Sequence, residues 1–521
     1  MASSNFTLQQ DYIALSSTHQ LYLKWRDRWQ YLMESFVGGK EYRDAGHLTR
    51  YALEGDGDYQ QRLLITPYIN HCAAVVQTYN SFLFRKEPER EFSSWEGSWD
   101  VEDFLKDCDY EGRSFDDFMR DVSTWSSVFG HVWCVLTKPN AGATTAAQEQ
   151  ELGLRPYINL ITPLVCSDWQ WRRDATGRYT LVYFKYVEEV VDRIQVVKVW
   201  TPETIETWEM NQAERTGQLR SVEPNELGMI PAVLVYNQRS IEKGIGVSDI
   251  NDISDICKLI YNMTSENDQA IRLGTHPTLV VPPTAQVGAG AGAMIILQEG
   301  SDPGLNPYAL EFSGAAVGSI HETIKGLEAE IDKLANTGGI RATSTRTMSG
   351  VALETEFQLL NARLATKADN MELAEEQIWR LFGIYQGKDW AGEISYPDSF
   401  NIRDDDRTFE QLVKAKSAST DPVVLRIIDE QLVDLLGEDY VRLPFIDPNP
   451  QTGRTYPDGE AIPDSLPAAY QLASNPEVPT GQNCANCEYY KPGELYCTKF
   501  DAPVRAVWWC AKWEPVEEEE Y

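Results

Sequence analysis

The chain has 521 residues, 42% of them hydrophobic, with 35 glycines and 26 prolines, which is room for about two to four compact units at the usual ~100–200 residues per domain. Its 46 basic residues face 79 acidic ones, a formal net charge of −33, and that excludes a broad basic surface gripping a phosphate backbone by counterion release. The N-terminal MASSNFTLQQDYIALSSTHQ carries neither the basic nor the apolar region of a secretory signal, so a cytoplasmic setting is expected. The longest charge-free stretch, residues 275–298, is broken by Pro277, Pro282, Pro283 and the glycines of Gly288–Gly292, which argues against a membrane span.

From Asp58 to Arg85 apolar residues including Leu63, Leu64, Cys72, Val75, Val76, Tyr79 and Leu83 recur at helical spacing, predicting one face of a helix. Ser114 with Asp116 and Asp117 predicts an N-cap and acidic first turn for a helix to Phe129, closed by Gly130 before a strand from His131. Between Pro156 and Val235 the runs YINLI, YTLVYFKYV, RIQVVKVW, ETIETWEM and PAVLVY, separated by turn residues, predict an antiparallel meander.

Past Gly246, Ser248 or Asp249 caps a predicted helix to about Gly274. A β-rich insert follows, with LVV, MIIL and YALEF as strands, and then a helix from about Ala315 to Asn336. Residues 337–350, rich in Gly, Ser and Thr, read as a loop whose only charges are Arg341 and Arg346. The periodicity of Leu353, Phe357, Leu360, Leu364, Met371, Ile378 and Phe382 predicts a helix from Val351 to Gln386, about 50 Å long at ~1.5 Å per residue. A small helical unit spans Asp406–Arg442, its last helix bounded by Asp421, Pro422 and Gly437, and a proline-rich linker follows. The fold class is α+β.

No enzyme is expected. GxxxxGK[ST] is absent, Gly288–Gly292 makes a turn rather than a dinucleotide fingerprint, and His321-Glu322 lacks a second histidine because Lys325 stands there, so a solvated helix face is the simpler reading. Six scattered histidines leave little general-base capacity, and Asp404–Asp406 read as helix-start or exposed acids. Cys72, Cys108, Cys134, Cys166 and Cys257 read as buried apolar residues of a reduced compartment.

Cys484, Cys487, Cys497 and Cys510 differ: four thiols within 27 residues, among Tyr489, Tyr490, Tyr496, Phe500, Trp508, Trp509 and Trp513, suit a tetrahedral metal or a cubane cluster. The segment CANCEYYKPGELYCTKFDAPVRAVWWC resembles the end of a high-potential iron–sulfur protein. That resemblance favours a [4Fe–4S] cluster, with structural zinc or uncoordinated and disulfide-bonded cysteines as alternatives.

The element order, together with Gly244-Ile-Gly-Val-Ser-Asp-Ile-Asn-Asp-Ile, His276-Pro-Thr-Leu-Val-Val, Thr345-Arg-Thr-Met-Ser-Gly-Val-Ala-Leu-Glu-Thr-Glu-Phe and the earlier Tyr68-Ile-Asn…Phe84-Arg-Lys-Glu-Pro, resembles a tailed-bacteriophage portal (head-to-tail connector) protein over residues 40–443. The resemblance implies a portal-like fold: a wing over 1–248, a stem helix over 249–274, a clip over 275–312, a second stem helix over 313–337, a channel loop over 338–350, a long wing helix and connection over 351–399 and a helical crown over 400–443. Outside it stand the linker 444–480 and a four-cysteine module with an acidic tail over 481–521. It also implies a virion protein at one capsid vertex, assembled in the host cytoplasm as a homo-oligomer of about twelve subunits. Double-stranded DNA would pass through it during packaging and ejection. The implied partners are terminase, a head-to-tail adaptor, and the major capsid and scaffolding proteins, with no membrane.

Segment 313–350 is neutral within an acidic chain, its bases being Lys325, Lys333, Arg341 and Arg346. These are the candidate DNA-channel residues, with the two arginines touching phosphate transiently or pairing with a neighbouring acid. The competing reading is an iron–sulfur electron-transfer metalloprotein.

Overall fold

The computed structural model describes residues 2–139, 142, 145–275, 278–281, 286–287, 295–296, 308–310, 315–337, 350–397, 400, 412–416, 424–428, 431–432, 471–472, 478–479, 482–491, 495–510 and 512–514. The chain divides into two units, Met1–Asn401 and Ile402–Tyr521, each described by itself.

The first unit opens with helices α1 (Ala2–Ser16), α2 (Gln20–Val37), α3 (Gly39–Asp44), α4 (Asp56–Ile65) and α5 (His71–Leu83). The single helix face expected over Asp58–Arg85 is therefore two helices. Pro67 lacks an amide donor and disfavours helical backbone at the residue before it, and Thr66 is extended at φ −72°, ψ 118°. The chain restarts at Asn70, whose side chain accepts from the Ala73 amide at 2.8 Å.

Next come β1 (Glu89–Glu91), α6 (Trp99–Lys106), α7 (Phe115–Phe129), β2 (His131–Thr137), α8 (Ala146–Leu152) and β3 (Tyr157–Ile161). Helix α7 has the expected ends. The Ser114 hydroxyl accepts from the Asp117 amide at 3.1 Å, and Gly130 turns left-handed at φ 89°.

The expected meander is two sheets. Strands β4 (Cys166–Arg173), β5 (Tyr179–Val191), β6 (Ile194–Trp200), β7 (Thr204–Asn211) and β8 (Thr216–Pro224) form an antiparallel five-stranded sheet in chain order. Strand β3 and β9 (Ala232–Tyr236) instead flank β2 in a three-stranded sheet. Strand β2 is buried along nearly its whole length, so it needs a neighbour on each edge to satisfy its backbone, and it takes them from both sides of the meander.

Helix α9 (Asn251–Thr275) leads to short strands β10 (Thr278–Val280), β11 (Gln286–Val287), β12 (Ile295–Ile296) and β13 (Tyr308–Leu310), then to α10 (Ala315–Ala335). The β insert thus lies where the three runs predict it, with β10 antiparallel to β13 and β11 to β12. Helix α11 (Gly350–Gln386) has 37 residues, about 55 Å at ~1.5 Å per residue. Strand β14 (Glu393–Ser395) returns to pair with β1.

One core joins these parts. Trp29, Trp133 and Trp379 are among its largest fully buried side chains, and β2 and β9 lie against both α7 and α11. The five scattered cysteines Cys72, Cys108, Cys134, Cys166 and Cys257 are all buried, and the Cys72 and Cys257 sulfurs approach to 3.7 Å. Burial holds the Cys108, Cys134 and Cys166 thiols above their ordinary range.

In the second unit, residues 412–416, 424–428 and 431–432 are helical, within the expected helical segment. Asp421, Pro422, Gly437, Asp404–Asp406 and the prolines up to 470 lie outside the described residues. Strand β15 (Gln471–Leu472), β16 (Tyr490–Lys491), β17 (Tyr496–Cys497), β18 (Ala502–Pro503) and β19 (Trp508–Trp509) make two small sheets, β15 with β19 and β16-β17-β18. No helix among the described residues is long and apolar enough to cross a membrane.

Candidate channel helices and cysteine centre

The entry to α9 is built by a close backbone crossing. A Cβ on Gly246 would stand 1.8 Å from the Gly130 carbonyl oxygen, so only glycine lets the loop from β9 lie against the end of α7. The Gly246 amide donates to His131 Nδ1 at 3.2 Å, and the Asn237 amide to the Gly130 carbonyl at 2.9 Å.

Of the two expected caps, Ser248 does the local work: its hydroxyl accepts from the Ile250 amide and donates to the Ser127 carbonyl, each at 3.1 Å. Asp249 serves as a buried ionic anchor. Lys367 Nζ, on α11, lies 2.7 Å from its Oδ2, and Arg363 Nη2 lies 3.1 Å from its Oδ1. Lys367 also donates to the Ser127 hydroxyl at 2.7 Å and to Asn237 Oδ1. Burial alone would raise the Asp249 carboxyl, but Lys367 and Arg363, with hydrogen bonds from Lys367 and Asn237, hold it below the usual carboxylate range. Arg363 further donates to the Leu334 carbonyl at 3.1 Å, and the Tyr79 hydroxyl to the Ala335 carbonyl at 2.6 Å. The start of α9 and the end of α10 are thereby fixed to the same stretch of α11.

Helices α9 and α10 pack side by side. Each carries four acids and two bases. Lys325 lies 3.6 Å from Glu322, Lys333 3.7 Å from Glu330, and Arg272 2.7 Å from Asp268, all on their own helices and all exposed. Lys325 and Lys333, expected to face DNA, are thus surface bases already matched by acids one turn away. Leu259, Ile271 and Leu334 leave apolar surface exposed on the pair. His321 and Glu322 are exposed on α10, agreeing with a solvated face. Arg341 and Arg346 lie outside the described residues.

Sequence reasoning passed over Lys367 and Glu375. Both sit on the apolar stripe of α11, Lys367 between Leu364 and Met371 and Glu375 between Met371 and Ile378. Glu375 is buried and pairs with Arg90 at 2.5 Å, while the Tyr396 hydroxyl donates to it at 2.7 Å. A charge on a buried stripe was the available signal.

In the second unit the four cysteines come together. A single 3-10 turn, Cys484–Asn486, is closed by reciprocal bonds between Asn483 and Asn486, and the Cys487 amide donates to the Cys484 carbonyl at 3.1 Å. Cys497 is on β17, and Cys510 follows β19. All four thiols are buried and line one hollow with Tyr490, Phe500, Val504 and Trp513, while Lys499 and Lys512 stand at its wall. Burial raises the Cys510 thiol. Among the described residues no group of three or more His, Cys, Asp or Glu side chains is placed to hold a metal ion.

Solved structures similar to the chain include three from gene transfer agent particles. The neck of the empty gene transfer agent particle computed with C6 symmetry has a TM-score of 0.42 and 12% identity, covering 74% of this chain and 95% of that one. The virion of the native gene transfer agent particle has a TM-score of 0.41 and 11% identity, covering 76% and 99%. The neck of the native particle computed with C12 symmetry has a TM-score of 0.40 and 9% identity, covering 76% and 98%. No curated protein matches the chain at a significant level. A family model does match residues 66–404, the span that holds the core sheets, both packed helices and α11, and by that match the chain belongs to the phage portal proteins of the SPP1 Gp6-like family.

Proposed function

We propose that copies of this chain close into a ring of about twelve subunits at one vertex of a capsid, where the ring joins head to tail. Double-stranded DNA passes inward through it during packaging and outward during ejection. The observation that supports this beyond family membership is the α9–α10 pair, an acidic hairpin with exposed Leu259, Ile271 and Leu334 on its flanks. Neighbouring copies would cover the apolar flanks, as closed rotational symmetry allows. A wall on which three of the four bases lie beside acids on the same helix gives phosphate little to hold, which a duplex that must slide both ways requires. Arg341 and Arg346 act in this scheme as transient phosphate contacts without base reading.

Terminase, a head-to-tail adaptor, and the major capsid and scaffolding proteins are the partners this role calls for. The family is a structural one, and the role needs no catalytic centre in this chain. Electron microscopy and native mass spectrometry of the purified protein test the proposal. Rings with a central hole support it, and monomers that persist at high concentration and beside coexpressed scaffold and shell proteins refute it.

A further inference from the structure

We infer that Cys484, Cys487, Cys497 and Cys510 ligate a [4Fe–4S] cluster that forms the interior of the C-terminal module. The first ground is what the interior is made of. Its buried residues are Cys484, Cys497, Cys510, Ala502, Val504 and Trp508, so thiols occupy half of the positions where a small domain would place aliphatic side chains. An apolar core this small holds a fold only with a staple, and all nine cysteines of the chain are thiols in the structure, so a disulfide does not supply it.

The second ground is the arrangement. The four thiols line one hollow. A cubane presents a separate iron at each of four corners and takes one thiolate at each, so it needs thiols spread around a cavity. Structural zinc draws its ligands onto a single point, commonly from two close Cys pairs. Here only Cys484 and Cys487 form such a pair, while Cys497 and Cys510 arrive singly from different strands.

The third ground is the wall. Tyr490, Phe500 and Trp513 line the hollow with ring surface, and Lys512 stands at its wall to offset part of the negative charge of a thiolate-bound cluster, while Lys499 is paired with Glu514. Insertion of a preformed cluster forms four iron–sulfur bonds to the protein, releases four thiol protons to solvent and returns the donor's ligands, with no net electron transfer.

The test uses full-length protein purified without oxygen from iron-fed cells. Expected are a broad visible absorption that bleaches on reduction, and iron and acid-labile sulfide in the equal amounts the cluster formula requires. Cys497→Ser should lose most of both. The wild-type analysis stands alone should that variant fail to fold. Zinc without sulfide, or a metal-free protein whose four thiols all react with an alkylating reagent, overturns the assignment. The result is independent of ring formation: colourless rings refute the cluster and leave the channel proposal standing.

Discussion

In a Lys367→Met variant the apolar stem of the side chain is kept and the ammonium is lost. Asp249, 5% exposed at its side chain, then retains Arg363 as its one cationic partner beside the Asn237 hydrogen bond, and the Ser127 and Asn237 oxygens lose their donor. Removing one partner of a buried ion pair costs about 3–5 kcal/mol, because the remaining charge stays in a low-dielectric site. With Arg363 still 3.1 Å from the carboxylate, the lower figure of about 3 kcal/mol applies. At about 1.4 kcal/mol per decade, the α9 entry then opens roughly 150-fold more often. Hydrogen exchange followed by mass spectrometry on peptides covering residues 250–263 reads this directly, with peptides from β5 to β7 as the internal reference. Adding Asp249→Leu should recover part of the loss, since the uncompensated charge is its main source. Acceleration below about threefold, or an equal acceleration throughout the chain, would refute the view that Lys367 locally pins α9 to α11.

Gly246→Ala forces apart the crossing with Gly130 and should cost about 1–3 kcal/mol or more, seen as a lower melting temperature or insolubility. Gly318→Ala, with open space around its Cβ on α10, should be neutral or slightly stabilising. Burial lowers the His131 imidazole to about 3, against about 6.5 when unfolded. The unfolded chain therefore binds the extra proton between those values. Stability falls by about 1.4 kcal/mol per pH unit from this group as the pH drops below about 6.5. His131→Gln should flatten that slope in denaturant titrations read by tryptophan fluorescence, and an unchanged slope counts against the assignment. An Arg341→Ala/Arg346→Ala double variant should still assemble rings but package or retain less DNA, whereas unaltered packaging would mean that these arginines pair with acids instead.

Residues that announce an end were easy to read. Ser114, Gly130 and the α11 periodicity located their elements because caps and a 3.6-residue repeat are local properties. Strand partnership was not legible: YINLI and AVLVY look like neighbours of the intervening runs, and only the need of β2 for two partners sends them elsewhere. Strands β4 and β8 escaped notice because CSDWQWRR and TGQLRSVEP hold few β-branched residues, and β8 is exposed along most of its length on both faces. The break between α4 and α5 was legible in Pro67, but apolar spacing on both sides of it concealed the stop. The spacing of the four C-terminal cysteines indicated that they belong together, and all four line one hollow.

Helix α1 has a consequence for how the chain tolerates handling. Leu15 and Tyr12 plug a small greasy patch of Val197, Val199 and Met210, and Gly217 of β8 lies so near that a Cβ there would stand 2.9 Å from the Tyr12 amide. The buried Lys185 ammonium spends its hydrogens on the Leu15 and Ser17 carbonyls, a contact spanning 170 residues of sequence at Leu15. Lifting the amino-terminal segment, whether by a protease or a bulky fusion partner, would bare the patch and strand a cation together. The stickiness that follows would then arise at the five-stranded sheet, far along the chain from the point of injury.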